Sequence, residues 1–320
     1  MKRMLSLGVS LFILAVIYWR LDFSRLGEVF QHGDVFWLAV SLGLVVPLTM
    51  LTAWRLDQLV PGGVRLGVME SNRLILVACV LNLILPSKMG DLAKAWFLKE
   101  RGHASAGLAF ALVVFEKACD MLSLLLWCAF GLLLYQQKDT LFWVMTAGVV
   151  GGLVGGLALL GSPGFAGLVF KNAGRLAPVA VRAKLAKLAG AWSEMHEFFW
   201  RDRARLLRVA GTSMFIWFLH LLQIWPFILA LGATAPFLAG LALAPLAILA
   251  GLLPLTFAGI GTRDAALIFF FHPYLDAPTA AALGILCTMR YVLPALGGLP
   301  FVSGYLPRLR LAKAESSGVK

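Results

Sequence analysis

Three ionisable side chains lie close together in the middle of a long apolar run of this chain. The run covers residues 104–135, and Glu116, Lys117 and Asp120 lie near its centre. At the centre of a membrane helix each such charge costs about 2.5–3.5 kcal/mol on insertion scales, so charged residues there face a protein-lined or hydrated interior and pair with one another. Two interpretations stay open. The three residues form either a self-neutralising structural cluster or part of a functional site.

The composition is typical of a helical protein that crosses a membrane several times. Hydrophobic residues make up 60% of the 320 residues, charged residues make up 14%, and the mean hydropathy is +0.86, values that soluble globular domains do not reach. The four cysteines lie in apolar segments without CxxC spacing, so we expect no disulfide and no metal site. Phosphate-binding loops and nucleophile motifs are also missing from the sequence, and we expect neither a cofactor nor an enzymatic activity.

Positive charge is concentrated between residues 171 and 208, where nine Lys and Arg residues stand against three acidic residues. In a protein this apolar, the positive-inside rule explains such a cluster better than nucleic-acid binding does, and it places the segment in the cytoplasm. Within the segment, apolar residues at spacings of three and four form one face of a helix: Leu185, Leu188, Trp192, Met195 and Phe199. We expect this amphipathic helix to lie on the anionic inner leaflet of the membrane.

Segment length and loop charge predict an all-α polytopic fold with about six transmembrane crossings and two re-entrant hairpins. The predicted crossings are residues 4–19, 35–53, 104–135, 141–160, 207–231 and 279–306. The segment 74–86 is too short for a crossing, and a second helical pattern begins after it at Asp91, a suitable N-cap. Residues 70–100 are therefore predicted to enter and leave the same membrane face. Segments 237–257 and 265–271 are predicted to form the second hairpin.

The two hairpins are predicted to break at proline and glycine residues, because these residues interrupt helices. The predicted break residues are Pro86, Gly90, Pro254, Gly259 and Gly261. Both hairpins are followed by a long helix with a cation near its middle: twelve residues separate Ser105 from Lys117, and twelve separate Pro278 from Arg290.

The same order of elements therefore occurs twice within one membrane domain, residues 1–306. Repeat 1 covers residues 1–135, repeat 2 covers residues 136–306 with its amphipathic linker at 171–208, and a short basic tail covers residues 307–320. Three crossings in each repeat give the two repeats opposite orientations. Inverted repeats with broken helices at the membrane midplane are a common architecture of secondary transporters, so we expect a polar cavity between the halves.

Three motifs occur in the order typical of one known family. They are NxxLPSKMGD at residues 82–91, EKxxD at residues 116–120 and GIGTRD at residues 259–264. With these motifs the chain resembles the lysylphosphatidylglycerol synthase transmembrane-region family, a flippase-like domain, from about residue 5 to residue 306. Two positions depart from the family pattern, which usually has Arg at Lys117 and Glu at Asp264. A lysine binds phosphate as a point charge and cannot form the bidentate contact of arginine.

The resemblance implies movement of a lipid across the bilayer rather than its synthesis. The chain ends at Lys320, so we expect a stand-alone member without the soluble synthase domain. The implied partners are membrane lipids, either an anionic or aminoacylated phospholipid or a polyprenyl-linked lipid. The implied location is the cytoplasmic membrane of a bacterium or archaeon, with both termini in the cytoplasm.

The residues expected to meet the lipid headgroup lie at the breaks and in the helices after them. They are Lys88, Asp91, Lys94, Glu116, Lys117, Asp120, Arg263, Asp264 and Arg290. Arg290 lies deep in the last crossing, and we expect it to pair with Glu116 or Asp120 or to meet a lipid phosphate. Arg55 ends the second crossing and is interpreted as a positive-inside anchor. His220 and Gln223 are expected to form interhelical hydrogen bonds.

Two other classes of function stay open at this stage. Paired carboxylates in a cavity could serve a membrane enzyme that acts on lipid-linked substrates. The chain could also be a non-catalytic partner of a separate lipid synthase, or a homo-oligomer.

Overall fold

A computed structural model describes most of the chain. The described residues are 8, 13–15, 23–60, 66–84, 90–102, 104–253, 256 and 259–316, with side chains except at 23, 179, 180, 184 and 306–316. All regular secondary structure within these ranges is helical. The predicted all-α fold is therefore confirmed.

Fourteen helices lie within the described ranges. The first seven are α1 (Phe23–Gln31), α2 (Val35–Gly43), α3 (Val45–Leu59), α4 (Val68–Ile84), α5 (Leu92–Glu100), α6 (Ala106–Leu134) and α7 (Thr140–Gly161). The second seven are α8 (Pro163–Leu176), α9 (Val179–Arg201), α10 (Arg203–Leu222), α11 (Ile224–Ala230), α12 (Phe237–Leu252), α13 (Thr262–Phe271) and α14 (Ala277–Ser316).

Within the described residues, four helical segments are long and apolar enough to cross a membrane, so the chain is a multi-pass membrane protein. They are Val35–Leu59, Thr140–Gly161, Arg203–Ala230 and Ala277–Tyr305, which correspond to four of the predicted crossings. The predicted crossing 104–135 is α6, a helix of 29 residues that carries the three charges. The predicted crossing 4–19 lies outside the described residues except at 8 and 13–15.

Helices are present on both sides of each predicted break. The first pair is α4 and α5, and the second pair is α12 and α13. A Cβ on Gly90 would lie 2.6 Å from the carbonyl oxygen of Ala78, and one on Gly259 would lie 2.4 Å from that of Gly251. Gly259 and Gly261 have φ values of 76° and 102°, which L side chains rarely adopt.

The three predicted break glycines therefore lie where a side chain would not fit or would strain the backbone. Two other predicted break residues, Pro86 and Pro254, lie outside the described residues, as does Lys88. That each helix pair enters and leaves the same membrane face stays a prediction.

Two of the crossing segments are interrupted, and side chains connect the two interruptions. The first segment changes from α2 to α3 at Leu44, and the third changes from α10 to α11 at Gln223. The hydroxyl of Ser41 donates to the carbonyl oxygen of Gln223 at 2.8 Å, and the amide Nε2 of Gln223 donates to that of Ser41 at 2.7 Å. The prediction of an interhelical hydrogen bond at Gln223 is confirmed. The pair fixes α2 against α11.

We expect Ser41→Ala and Gln223→Met each to lower the free energy of unfolding by about 1–3 kcal/mol, because each removes a donor from a buried carbonyl group. Both residues are fully buried, so water cannot replace the lost partner. Denaturant titration in detergent micelles measures the effect. Thr52→Ala is the matched control, since its hydroxyl bonds only to Leu48 of its own helix. Equal stability of Ser41→Ala and the wild type would contradict the interpretation.

Helix packing follows the same pattern in both halves of the chain. The last helix of the second half, α14, packs on α4, and the last helix of the first half, α6, packs on α12. The amphipathic helices do likewise, with α1 on α14 and α9 on α6, while α3 packs on α10. Each of these contacts between the halves therefore has a counterpart at the corresponding positions of the two predicted repeats.

The apolar core is divided into two main clusters, and α6 passes through both. One cluster surrounds Leu124 and Phe227 where α6 meets the helices of the second half. The other surrounds Leu56 and Phe115 where α3, α6 and α9 meet. Along α6, the charged residues alternate with Phe115 and Cys119 of the second cluster and precede Leu124 of the first.

The C-terminal part of the apolar face of α9 is covered by protein and does not face lipid, whereas Leu185 and Leu188 are partly exposed, and the predicted position of the helix on the leaflet stays a prediction. Trp192, Met195 and Phe199 are buried, and the ring of Phe199 stacks on Phe115 of α6 with centroids 4.1 Å apart. Helical periodicity identifies an apolar face but does not distinguish a protein neighbour from a lipid neighbour.

Candidate functional site

Six charged side chains from three helices form a closed ring of alternating charge, which we call the charge ring. In order around it they are Arg55, Glu116, Lys94, Asp91, Lys117 and Asp120. Helix α3 contributes one member, α5 with its N-cap contributes two, and α6 contributes three. The ring contains three positive and three negative charges, and it is therefore neutral overall.

Glu116 is the most deeply buried carboxylate of the charge ring, with no exposed surface. Its two oxygens accept from different helices: the guanidinium of Arg55 at 2.7 Å and the ammonium of Lys94 at 2.8 Å. Their attraction offsets the free-energy cost of removing this carboxylate from water. An unpaired carboxylate at this depth would have no such compensation. Glu116 thus joins α6 to both α3 and α5.

Arg55 is a member of the charge ring, and its interpretation as a positive-inside anchor is wrong. Its side chain is 2% exposed. Besides Glu116, it contacts both oxygens of Asp120 and donates to the hydroxyl of Ser213 on α10 at 2.7 Å. The apolar run ends near residue 53 but the helix continues to Leu59, which brings Arg55 into the interior. Run length alone could not reveal that extension.

Asp91 and Lys117 complete the charge ring on its more open side. Asp91 lies 2.9 Å from the ammonium of Lys94 and 3.0 Å from that of Lys117. Its side chain makes no N-cap hydrogen bond to α5, so the helix begins where predicted while the carboxylate serves the ring. The Lys117 side chain is 43% exposed and lies 3.5 Å from Asp120, the predicted i,i+3 contact.

The second helix break is internally neutralised. Arg263 donates to Asp264 at 2.7 Å, to the carbonyl oxygen of Gly284 at 2.9 Å and to the hydroxyl of Thr288 at 2.7 Å. The other oxygen of Asp264 accepts from the main-chain N–H of Gly261 at 3.0 Å. The start of α13 therefore has its own anion, which occupies the position expected for a ligand at a helix N-terminus.

Arg290 lies apart from the charge ring, and its expected pairing with Glu116 or Asp120 does not occur. It is 4% exposed. One guanidinium nitrogen donates to the carbonyl oxygen of His220 at 3.1 Å, and another donates to the hydroxyl of Tyr291 at 3.0 Å. Its Nε has no hydrogen-bond partner, and no described carboxylate lies within ion-pair distance. The partners of Arg290 are thus neutral groups.

These residues surround a cavity of about 270 Å³. Its walls come from both halves of the chain, with α3, α4, α5 and α6 from the first half and α10, α12, α13 and α14 from the second. Six of the nine predicted headgroup residues line it: Asp91, Lys94, Lys117, Asp120, Arg263 and Arg290. Glu116 and Asp264 are paired to lining residues. The sequence analysis did not include Arg55 or Gln223 among the headgroup residues, and both line this cavity.

No group of three or more potential metal ligands occurs within the described ranges. Each of the four carboxylates at the site contacts Arg or Lys. The arrangement suits the binding of a polar or anionic group in a protein-lined space. It offers no unpaired carboxylate that could act as a general base.

Comparison with known protein families agrees with the motifs. The chain matches the family described as "Lysylphosphatidylglycerol synthase TM region" over residues 3–300. A search of curated proteins finds no match. Because the family match covers nearly the whole chain, this protein belongs to the lysylphosphatidylglycerol synthase transmembrane-region family.

Proposed function

We propose that this protein moves the polar headgroup of a membrane lipid across the bilayer through the cavity between its two halves. The observation that carries the proposal is the cavity itself, about 270 Å³ in volume and lined by Arg and Lys residues from helices of both halves. Buried charges inside a membrane domain mark paths for polar substrates. Membership of the family supports a role with membrane lipids.

The two halves are proposed to be inverted repeats that rock against each other around this cavity. The reciprocal packing of α6 on α12 and of α14 on α4 supports the repeat. So do the two interrupted crossings, which meet through Ser41 and Gln223. In transporters of this architecture the substrate site lies at the interface between the repeats, and movement exposes it to each side in turn.

In this proposal the charge ring has mainly a structural role, and two cations at the cavity bind the headgroup. The ring holds α3, α5 and α6 together because its members neutralise one another. Lys117, its most exposed member, meets the headgroup as a point charge, and Arg290 meets the phosphate. The substrate is an anionic or aminoacylated phospholipid or a polyprenyl-linked lipid of the cytoplasmic membrane, with both termini of the chain on the cytoplasmic side.

A cysteine in the cavity wall provides the test. Cys79 lines the cavity, whereas Cys119, Cys128 and Cys287 are buried. We expect purified protein in liposomes to move headgroup-labelled phospholipid, and complete alkylation of Cys79 with a maleimide to reduce the rate at least tenfold by filling the cavity. The label reaching the inner leaflet is measured by its protection from a membrane-impermeant quencher.

Cys79→Ser is the matched control, because it keeps the size of the side chain and removes the reactive thiol. Its transport should equal that of the untreated wild type and should resist the maleimide. Mass spectrometry gives the extent of labelling at each cysteine. If fully alkylated wild type moves lipid at the untreated rate, the cavity is not the path. If untreated protein moves none of the anionic, aminoacylated and polyprenyl-linked lipids offered, the proposed function is wrong.

A further inference from the structure

Charge at the cavity does not balance, and the excess is one cation. Among the described residues the site contains five cations, Arg55, Lys94, Lys117, Arg263 and Arg290. It contains four carboxylates, Asp91, Glu116, Asp120 and Asp264. The charge ring is neutral, and Arg263 is paired with Asp264. The excess charge is therefore that of Arg290.

The contacts of Arg290 explain how it is held without an anion. The carbonyl oxygen of His220, which accepts from it at 3.1 Å, belongs to the last turn of α10. The C-terminus of a helix carries a partial charge of roughly −0.5, which offsets only part of a full positive charge. The two hydrogen bonds fix the guanidinium in the cavity wall, and its Nε is buried without a partner. An anion in the cavity would neutralise the remaining positive charge.

We propose that Arg290 is the phosphate-binding residue of the cavity, and that the cavity selects a lipid headgroup with a single negative charge and no ammonium group. This inference rests on the proposed function and makes its substrate more specific. A phosphodiester brings one charge and restores neutrality. A second negative charge would find no unpaired cation among the described residues.

A headgroup ammonium would meet the opposite problem. All four carboxylates of the site already contact Arg or Lys, so an added ammonium would have no unpaired anion in the cavity. Burying an uncompensated charge is costly in a site of low dielectric constant. The expected order of affinity is therefore a monoanionic phosphodiester first, with zwitterionic and dianionic headgroups well behind.

The experiment measures binding, separately from transport, with three short-chain lipids that share the same acyl chains. Dioctanoyl phosphatidylglycerol has one negative charge, dioctanoyl phosphatidylcholine is zwitterionic, and dioctanoylglycerol pyrophosphate has at least two negative charges. Native mass spectrometry of the full chain in detergent gives the affinities. We expect phosphatidylglycerol to bind at least tenfold more tightly than either of the others. Equal affinity for all three would overturn the inference.

Variants at Arg290 separate its charge from its shape. Arg290→Lys keeps the charge and should keep the preference for phosphatidylglycerol, although a lysine forms fewer hydrogen bonds. Arg290→Gln removes the charge and should make the affinities for phosphatidylglycerol and phosphatidylcholine equal within about twofold. An unchanged preference in folded Arg290→Gln protein would also overturn the inference.

A gain-of-charge variant tests the same idea without removing any residue of the site. Thr49 lines the cavity, and its hydroxyl bonds only to the carbonyl oxygen of Val45 in its own helix. Thr49→Lys adds a second unpaired cation, so the preference should shift towards the pyrophosphate lipid by at least tenfold. Thr140→Lys is the control, because Thr140 is exposed at the start of α7. A shift in both variants, or in neither, would contradict the proposal.

Failure of this inference can be distinguished from failure of the proposed function. If lipid moves across liposomes regardless of headgroup charge, and Arg290→Gln moves it as well as wild type, charge selection by Arg290 is wrong while the transport proposal stands. If binding is charge-selective but no lipid moves, the transport proposal is wrong and the binding site stands.

Discussion

Replacing Glu116 by alanine should lower the free energy of unfolding by about 3–5 kcal/mol, the range for removing one partner of a buried ion pair. Glu116 is fully buried and is shared between Arg55 and Lys94. Its loss leaves the charge ring with one uncompensated positive charge, because Arg55 then pairs only with Asp120 and Lys94 only with Asp91. The remaining carboxylates cannot compensate, because each of them already has its own partners in the charge ring.

Denaturant titration of purified protein in detergent micelles measures this effect. Glu197→Ala is the control, since the Glu197–Arg201 pair on α9 is exposed and exposed pairs contribute at most about 1 kcal/mol. The double variant Glu116→Gln with Lys94→Met removes one charge of each sign. It should therefore be more stable than Glu116→Ala. If the double variant is the less stable of the two, charge balance is not what holds the charge ring together.

Part of the charge ring could be predicted from the sequence. The charges on α6 predicted a buried cluster because their cost demanded partners, and Asp91 and Lys94 beside the first break were expected among the headgroup residues. Arg55 was missed because it lies beyond the end of an apolar run, where an interfacial anchor is the ordinary explanation. Hydropathy gives the apolar part of a helix, but the helix itself continues to Leu59.

Pairing across helices was the least predictable part of the site. Arg290 was expected to pair with a carboxylate of α6, yet the charge ring already satisfies both candidates, and Arg290 instead meets the end of α10. The partner of a buried charge depends on which helices are neighbours and on how far along each helix the residues lie. A single sequence shows neither of these. The breaks were easier to predict, because proline and glycine interrupt a helix locally and can be recognised from the neighbouring residues alone.

The site has consequences for how movement could occur. The charge ring ties α3, α5 and α6 into one unit, whereas Arg290 belongs to α14 and contacts α10. Both of these helices belong to the second half, and the cavity beside Arg290 is also lined by helices of the first half, so a headgroup bound there would contact both halves. Its binding energy could bias the relative position of those halves, since a ligand shifts an equilibrium only through different affinities for the two states.

Two glycines on the last helices of the halves should also be sensitive to substitution. A Cβ on Gly131 of α6 would lie 2.1 Å from the carbonyl oxygen of Ala242 on α12, and one on Gly298 of α14 would lie 2.4 Å from that of Leu76 on α4. Both neighbours are main-chain atoms, so whole helices must separate to admit a methyl group. We expect Gly131→Ala and Gly298→Ala each to destabilise the protein by about 1–3 kcal/mol, the usual cost of overpacking.

Gly148→Ala on α7 is the matched control and should change stability in the opposite direction. No atom lies within 4 Å of the position where its Cβ would be built, and alanine in a helix is favoured over glycine by about 0.5–1 kcal/mol. The three variants make the same chemical change, so only packing distinguishes them in the denaturant titration. If α6 and α14 are equivalent helices of two repeats, Gly131→Ala and Gly298→Ala should have similar costs. Stability of either variant at the level of Gly148→Ala would show that the corresponding helices do not approach this closely.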